Sequence, residues 1–119
     1  MKMMVVDDSR VIRNKIQRMA ASGGISEIVQ ASNGREACDV FRAERPKVVT
    51  MDITMPEMDG VECVSQLVAM DSNVKILVIS ALADKATAIQ ALQNGAHGFL
   101  CKPFDDAQLN NALHELING

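Results

Sequence analysis

The sequence has little of what several classes of binding protein need. Among its 119 residues there is no Trp and no Tyr, and there are only three Phe. Proteins that bind single-stranded nucleic acid stack the bases on aromatic side chains, so this composition argues against that function. Twelve basic residues against fifteen acidic ones give a formal charge of -3. This leaves no basic excess for the phosphate backbone, and we expect no direct contact with nucleic acid.

The cysteines and the apolar runs exclude further classes. Cys38, Cys63 and Cys101 lie far apart, and an odd number without Cys-x-x-Cys spacing argues against a disulfide framework and a zinc site. Reduced, buried thiols in a cytoplasmic protein are the interpretation we prefer. No apolar run reaches the roughly 18 residues that span a membrane. The first apolar run is too short for a signal peptide and ends in two aspartates.

Short apolar runs alternate with amphipathic stretches along the chain. Apolar residues make up 48% of the sequence and charged residues 23%, as in ordinary globular domains. The length fits one domain over residues 1–119. Continuous apolar runs are typical of strands buried on both faces of a sheet. The runs predicted as strands are residues 3–6, 27–31, 48–51, 74–79 and 99–101.

Each predicted strand is followed by a stretch with helical spacing of its apolar residues. The clearest is 109–117, which follows Asp105 and Gln108 in the spacing of a capping box. Ser9 and Asn33 are placed to cap the first two helices. Five repeats of a strand and a helix predict an α/β fold, with a parallel sheet covered by helices on both faces.

Polar residues follow the predicted strands at the edge where parallel strands end. The first strand ends in Asp7 and Asp8, the third in Asp52, the fourth in Ser80 and Ala81, and the fifth in Lys102 and Pro103. Chemistry gathers at this edge of a doubly wound sheet, so we expect the carboxylates to converge. Three carboxylates repel one another unless a hard cation such as Mg²⁺ joins them. A carboxylate beside Mg²⁺ and a lysine can accept a phosphoryl group, to which a nearby hydroxyl could donate a hydrogen bond.

Four segments at these positions resemble those of the receiver domain of bacterial two-component response regulators, in particular single-domain, chemotaxis-type receivers. They are VVDDS at 5–9, MDITMPEMDG at 51–60, ISA at 79–81 and KPF at 102–104. The resemblance covers essentially the whole chain. It implies a flavodoxin-like (βα)5 fold with strand order 2-1-3-4-5. It also implies a phosphoryl donor that is a sensor histidine kinase or a phosphotransfer protein.

The resemblance assigns a role to each matching polar residue. Asp52 would be the phosphoacceptor. The cofactor would be Mg²⁺, with Mn²⁺ as an alternative, held by Asp7, Asp8, Asp52 and the main-chain carbonyl of Thr54. Lys102 would stabilise the charge of the phosphoryl group. The domain would catalyse only its own phosphorylation and dephosphorylation, so it would not be a conventional enzyme.

The resemblance further implies a conformational switch. Ser80 would fill the Thr/Ser switch position, and the aromatic switch position falls on Phe99, where chemotaxis-type members often carry Tyr. The bond between Lys102 and Pro103 would be cis, a form that is accessible before proline. The output would be read by a protein partner on the face built from the fourth helix, the fifth strand and the fifth helix. The chain would be either a stand-alone receiver or one unit of a longer regulator.

Other functions fit part of the pattern. A hydrolase with an aspartyl nucleophile, as in the haloacid dehalogenase group, has Asp-x-Asp-x-Thr after its first strand, whereas here Asp52 follows the third. A flavodoxin-like ligand binder or scaffold without chemistry is the other alternative, although no phosphate-cradling loop is visible. Taken singly, Asp7 and Asp8 also suit a helix cap, Lys102 a solvated lysine and Ser80 a strand-end cap.

Overall fold

Five strands and five helices alternate in the computed structural model, which describes residues 1–53, 60–81 and 85–118. The strands are β1 (Lys2–Val6), β2 (Glu27–Ala31), β3 (Val48–Asp52), β4 (Lys75–Ala81) and β5 (Gly98–Lys102). The helices are α1 (Arg10–Ser22), α2 (Gly34–Glu44), α3 (Gly60–Met70), α4 (Lys85–Gln93) and α5 (Asp106–Asn118). All strand pairs are parallel, in the order β2-β1-β3-β4-β5. The predicted α/β fold and the strand order 2-1-3-4-5 are confirmed.

Three strands continue further than their apolar runs predict. β3 includes Asp52, β4 ends at Ala81 and β5 ends at Lys102. Pairing between neighbouring strands continues to these residues, since Asp52 pairs with Ile79 and Ala81 pairs with Lys102. Strand pairing joins main-chain N–H and C=O groups, so it can continue through polar residues that end an apolar run. Asp52 and Lys102, expected at the ends of the third and fifth strands, are therefore held within the sheet itself.

The sheet has one apolar layer on each face. One face packs against α2, α3 and α4, with Phe41 of α2 fully buried in that layer. The other face packs against α1 and α5, with Ile16 of α1 and Leu109 of α5 fully buried there. In the described residues no helix is both long and apolar enough to cross a membrane. Both faces are thus covered, as continuous apolar strands require.

Side-chain caps fix the start of three helices. Ser9 Oγ accepts a hydrogen bond of 3.4 Å from the amide of the third residue after it, and Asn33 Oδ1 accepts one of 2.8 Å in the same way. Asp105 and Gln108 form the predicted reciprocal box, with bonds of 2.8 Å and 2.9 Å between each side chain and the other's amide. The cap at Ser9 starts α1 directly after the aspartates that follow β1.

The start of α3 lies against the end of β3. A Cβ atom added to Gly60 would lie 2.4 Å from Cα of Ile53, so only glycine allows this approach. This contact places α3 next to the strand that carries Asp52.

The three cysteines are free thiols, as the sequence predicts, but Cys101 is half-buried and not fully buried as expected. The structure adds that Cys38 of α2 and Cys63 of α3 are buried with their Sγ atoms 3.9 Å apart. Burial, with a smaller contribution from Cys38, raises the pKa of the Cys63 thiol well above its ordinary value. This thiol therefore stays protonated, and unreactive as a nucleophile, at neutral pH.

Candidate functional site

Three carboxylates meet at the carboxyl edge of the sheet. Asp7 follows β1 and Asp52 ends β3, and these two strands are neighbours. Carboxylate oxygens of Asp7, Asp8 and Asp52 lie within 4.8 Å of one another. Asp7 and Asp52 are buried, whereas Asp8 is exposed at the mouth of the pocket. The structure thus brings together the carboxylates that the sequence places after two different strands.

Lys102, at the end of β5, completes this pocket. Its Nζ lies 3.3 Å from Oδ2 of Asp7 and 3.3 Å from Oδ2 of Asp52. The alternation of side chains along a strand explains why Lys102 meets Asp52. Val48 of β3 and Leu100 of β5 pack in the layer beneath α1 and α5. Asp52 comes four residues after Val48 and Lys102 two residues after Leu100, so both side chains point to that same face.

The donor set of the pocket fits a divalent cation. Asp7, Asp8 and Asp52 offer only oxygen atoms, which Mg²⁺ prefers. Three carboxylates and the ammonium of Lys102 sum to a formal charge of -2. The oxygens are also close enough to share one ion. The pocket is therefore an acidic site compatible with Mg²⁺.

The electrostatics of the pocket show the same excess of negative charge. Burial raises the pKa of Asp7, and the charge of Asp52 adds to this, while the Ser9 amide and Lys102 act in the opposite direction without cancelling it. For Lys102, burial acts to lower the pKa, but Asp52 and then Asp7 outweigh it and the pKa is raised. The lysine therefore stays charged, and the ionised form of Asp7 is the one under strain.

Asp7 is held by hydrogen bonds at every polar atom. Its amide donates to the carbonyl of Ala31 at 3.2 Å, and its Oδ1 accepts from the amide of Ser9 at 2.9 Å. Its carbonyl accepts a bond of 2.7 Å from Nη1 of Arg13. Sequence reasoning did not single out Arg13. The available signal was an arginine one turn into the helix that begins beside the aspartates.

Two buried hydroxyl groups lie on β3 and β4, the strands that carry Asp52 and its neighbour Ile79. Ser80 Oγ and Thr50 Oγ1 are buried and have no hydrogen-bond partner among the described residues. Ser80 comes directly after Ile79, the residue that pairs with Asp52 in the neighbouring strand. An unsatisfied buried hydroxyl costs about 1–3 kcal/mol. Ser80 is therefore a donor without an acceptor, one residue further along the sheet than Asp52.

Ser80 and Phe99 share one face of the sheet. Val78 pairs with Phe99 and Ser80 pairs with Cys101, so all four side chains lie on the side of α3 and α4. Phe99, on the edge strand β5, is 39% exposed. This is the opposite face from that of Asp52 and Lys102, and the two sets meet only at the carboxyl edge.

One predicted metal ligand and one predicted cis peptide bond complete the comparison with the sequence. Thr54, whose main-chain carbonyl the resemblance makes a metal ligand, lies outside the described residues. The peptide bond between Lys102 and Pro103 is cis.

Comparison with known proteins agrees with this geometry. Residues 3–114 match the family model described as response regulator receiver domain. The chemotaxis protein CheY of Thermotoga maritima is 36% identical, over 97% of this chain and 96% of that protein. CheY of Bacillus subtilis is 32% identical, over 98% of each chain. The CheX–CheY–BeF3–Mg²⁺ complex from Borrelia burgdorferi contains a chain with a TM-score of 0.90 and 31% identity, covering 99% of this chain and 90% of that one. The span matched by the family model, residues 3–114, contains the pocket.

Proposed function

Because this chain belongs to the response regulator receiver domain family, we propose that Asp52 accepts a phosphoryl group from a sensor histidine kinase or a phosphotransfer protein. Family membership makes the chain a phosphoacceptor that changes conformation to signal to its partners. It also replaces the hydrolase and the scaffold as interpretations. The observation that supports Asp52 is its buried carboxylate, 3.3 Å from Lys102 and within 4.8 Å of two further carboxylates.

Asp7, Asp8 and Asp52 would hold Mg²⁺, with Mn²⁺ as an alternative and the main-chain carbonyl of Thr54 as a further ligand. The oxygen donors and the formal charge of -2 support this assignment. Bound there, the cation would neutralise charge on the oxygens of the transferring phosphoryl group.

The chain's own residues supply the other parts of the reaction. A carboxylate oxygen of Asp52 attacks phosphorus, and the bond from phosphorus to the donor histidine nitrogen breaks. The ammonium of Lys102 stays charged and can move from the carboxylate onto the new phosphoryl oxygens. Water later hydrolyses the aspartyl phosphate. The domain acts only on itself, and in this sense it is not a conventional enzyme.

Ser80 and Phe99 form the switch in this proposal. A phosphoryl group at the carboxyl edge offers strong acceptors to the unpartnered hydroxyl of Ser80. When the Ser80 hydroxyl turns towards the carboxyl edge of the sheet, it leaves the face that it shares with Phe99. This makes room on that face for the exposed ring of Phe99. Burying that ring contributes about 1–2 kcal/mol to the active state. Phe99 has no hydroxyl, so packing alone sets this bias.

The output surface that we propose is the face of α4, β5 and α5. Phe99 of β5 and Ile89 of α4 are both exposed large apolar residues. A protein partner fits such a surface. We propose no contact with nucleic acid or a membrane, because the chain has a formal charge of -3 and no basic excess. We also propose a cytoplasmic location and a receiver domain over the whole of residues 1–119, since α5 continues to Asn118.

Phosphorylation by a small molecule tests the assignment of Asp52. The protein is incubated with acetyl phosphate and Mg²⁺, and its intact mass is recorded over time. One phosphoryl group should be added, and it should be absent in EDTA and in Asp52→Asn. As a matched control, Asp39→Asn on the exposed surface of α2 should be phosphorylated like the wild type. An equal adduct on Asp52→Asn would show that another residue is the acceptor.

A further inference from the structure

Arg13 connects the turn after β1 to the neighbouring strand. Its Nη1 donates 2.7 Å to the carbonyl of Asp7, and its Nε donates 3.0 Å to Oε1 of Gln30 on β2. The side-chain amide of Gln30 donates in turn to Oδ1 of Asn14, at 3.3 Å, and to Oε1 of Gln17. The guanidinium is therefore held in place by β2 and α1 while it contacts the peptide group that follows Asp7.

That peptide group lies between two of the pocket carboxylates. The Asp7 side chain is fixed by Ser9 and Lys102. Among the residues that the structure describes, no hydrogen bond or ion pair reaches the carboxylate of Asp8, which is exposed. The direction of the Asp8 side chain therefore depends on the orientation of its main chain. The hydrogen bond from Arg13 restricts that orientation.

We propose that Arg13 is a positioning residue for the metal site, which holds the carbonyl of Asp7 so that the carboxylate of Asp8 stays beside those of Asp7 and Asp52. The inference rests on the proposed function, because it takes the cation to be Mg²⁺. The planar guanidinium suits this role, since two of its N–H groups reach two separate acceptors at once. A lysine ammonium is a point charge on a flexible stem and lacks the rigid planar fork that fixes both contacts.

The positive charge of Arg13 and its positioning of Asp8 have opposite effects on the affinity for Mg²⁺. A cationic side chain near the pocket repels a divalent cation, so its charge alone would weaken Mg²⁺ binding. Substitutions separate the two effects. Arg13→Lys keeps the charge and removes the forked geometry, whereas Arg13→Gln removes both. Gln30→Ala leaves Arg13 intact but removes the acceptor that orients its Nε.

Calorimetric titration of the full chain with MgCl₂ alone is the test. Arg13→Lys should weaken Mg²⁺ binding by about ten-fold, as for other residues that orient metal ligands. Gln30→Ala should weaken it less. The double variant should bind about as weakly as Arg13→Lys alone, because both changes interrupt one chain of contacts. Arg18→Lys, at an exposed position on the same helix, should bind like the wild type.

Two further measurements separate positioning from general stability. Saturating Mg²⁺ should restore the rate at which Arg13→Lys reacts with acetyl phosphate, since only the affinity for the cation is changed. In ¹⁵N spectra the amide of Asp8 should shift differently on Mg²⁺ addition in Arg13→Lys and in the wild type. Melting temperatures in EDTA report any general loss of stability.

The outcomes that contradict the proposal are distinct. If Arg13→Lys binds Mg²⁺ as tightly as the wild type, even with a lower melting temperature, Arg13 serves folding only and the inference is wrong. Tighter binding by Arg13→Gln would show that charge dominates, and would also overturn it. If Asp8→Asn binds Mg²⁺ as tightly as the wild type, the metal assignment itself fails and the inference fails with it.

Discussion

Replacing Asp8 by Asn tests whether the pocket carboxylates repel one another in the absence of a cation. The ammonium of Lys102 lies 3.3 Å from Asp7 and from Asp52, while among the described residues Asp8 has no cationic partner. Asn has nearly the same shape as Asp and no charge. We therefore expect Asp8→Asn to be more stable than the wild type in EDTA.

The size of this effect follows from the distances. Two unit charges at the limiting separation of 4.8 Å repel by about 0.9 kcal/mol in water and by about 3.5 kcal/mol at an effective dielectric constant of about 20. Asp8 is exposed, so the lower figure applies to each of its two repulsions, and the attraction of Lys102 offsets part of the sum. The expected gain is about 1 kcal/mol in the free energy of unfolding, or about 4 °C in melting temperature.

Magnesium should reverse the order of the two proteins. At a concentration of about one hundred times its Kd, Mg²⁺ adds about 2.7 kcal/mol to the stability of a protein that binds it only when folded. The wild type should show this increase and Asp8→Asn much less of it.

Differential scanning calorimetry, in EDTA and then in MgCl₂, measures both effects. Asp39→Asn is the matched control, because Asp39 is exposed on α2 and pairs with Arg42, outside the pocket. Its response to Mg²⁺ should equal that of the wild type. An equal response to Mg²⁺ in Asp8→Asn and the wild type would show that Asp8 is not a ligand, and equal melting temperatures in EDTA would show that it is not a source of repulsion. Either result would refute the reasoning.

Three further predictions concern the pocket, the packing and the switch. The raised pKa of Asp7 means that ionisation of this carboxyl destabilises the fold. In EDTA at neutral pH, Asp7→Asn should therefore have a higher melting temperature than the wild type, and the difference should shrink as the pH falls. A difference that does not change with pH would contradict this. Gly60→Ala should lose about 1–3 kcal/mol in urea denaturation because its Cβ would meet main chain at 2.4 Å, whereas Gly23→Ala, whose Cβ would meet nothing nearer than 3.5 Å, should not. With beryllofluoride, wild-type amide shifts should extend to Phe99, but in Ser80→Ala they should stay near the phosphoacceptor; identical long-range shifts would remove Ser80 from the switch.

Most of the fold could be predicted from local patterns. Apolar runs, helical spacing and caps such as Ser9 and Asp105 depend on neighbours within a few residues, so the sequence shows them directly. The apolar runs by themselves stop short of the strand ends. β3 continues to Asp52 and β5 to Lys102 because pairing depends on the neighbouring strand, which a local pattern does not contain.

The candidate site was predictable as a set of residue types at strand ends, and the strand order came from the resemblance to receiver domains. Which atoms meet was decided only by the tertiary structure. Lys102 reaches Asp7 across 95 residues of sequence because only β3 and β4 lie between β1 and β5 in the sheet. Arg13 reaches the carbonyl of Asp7 because β2 holds its other side. Such contacts depend on how distant segments are placed in space, and periodicity along a chain carries no information about that placement.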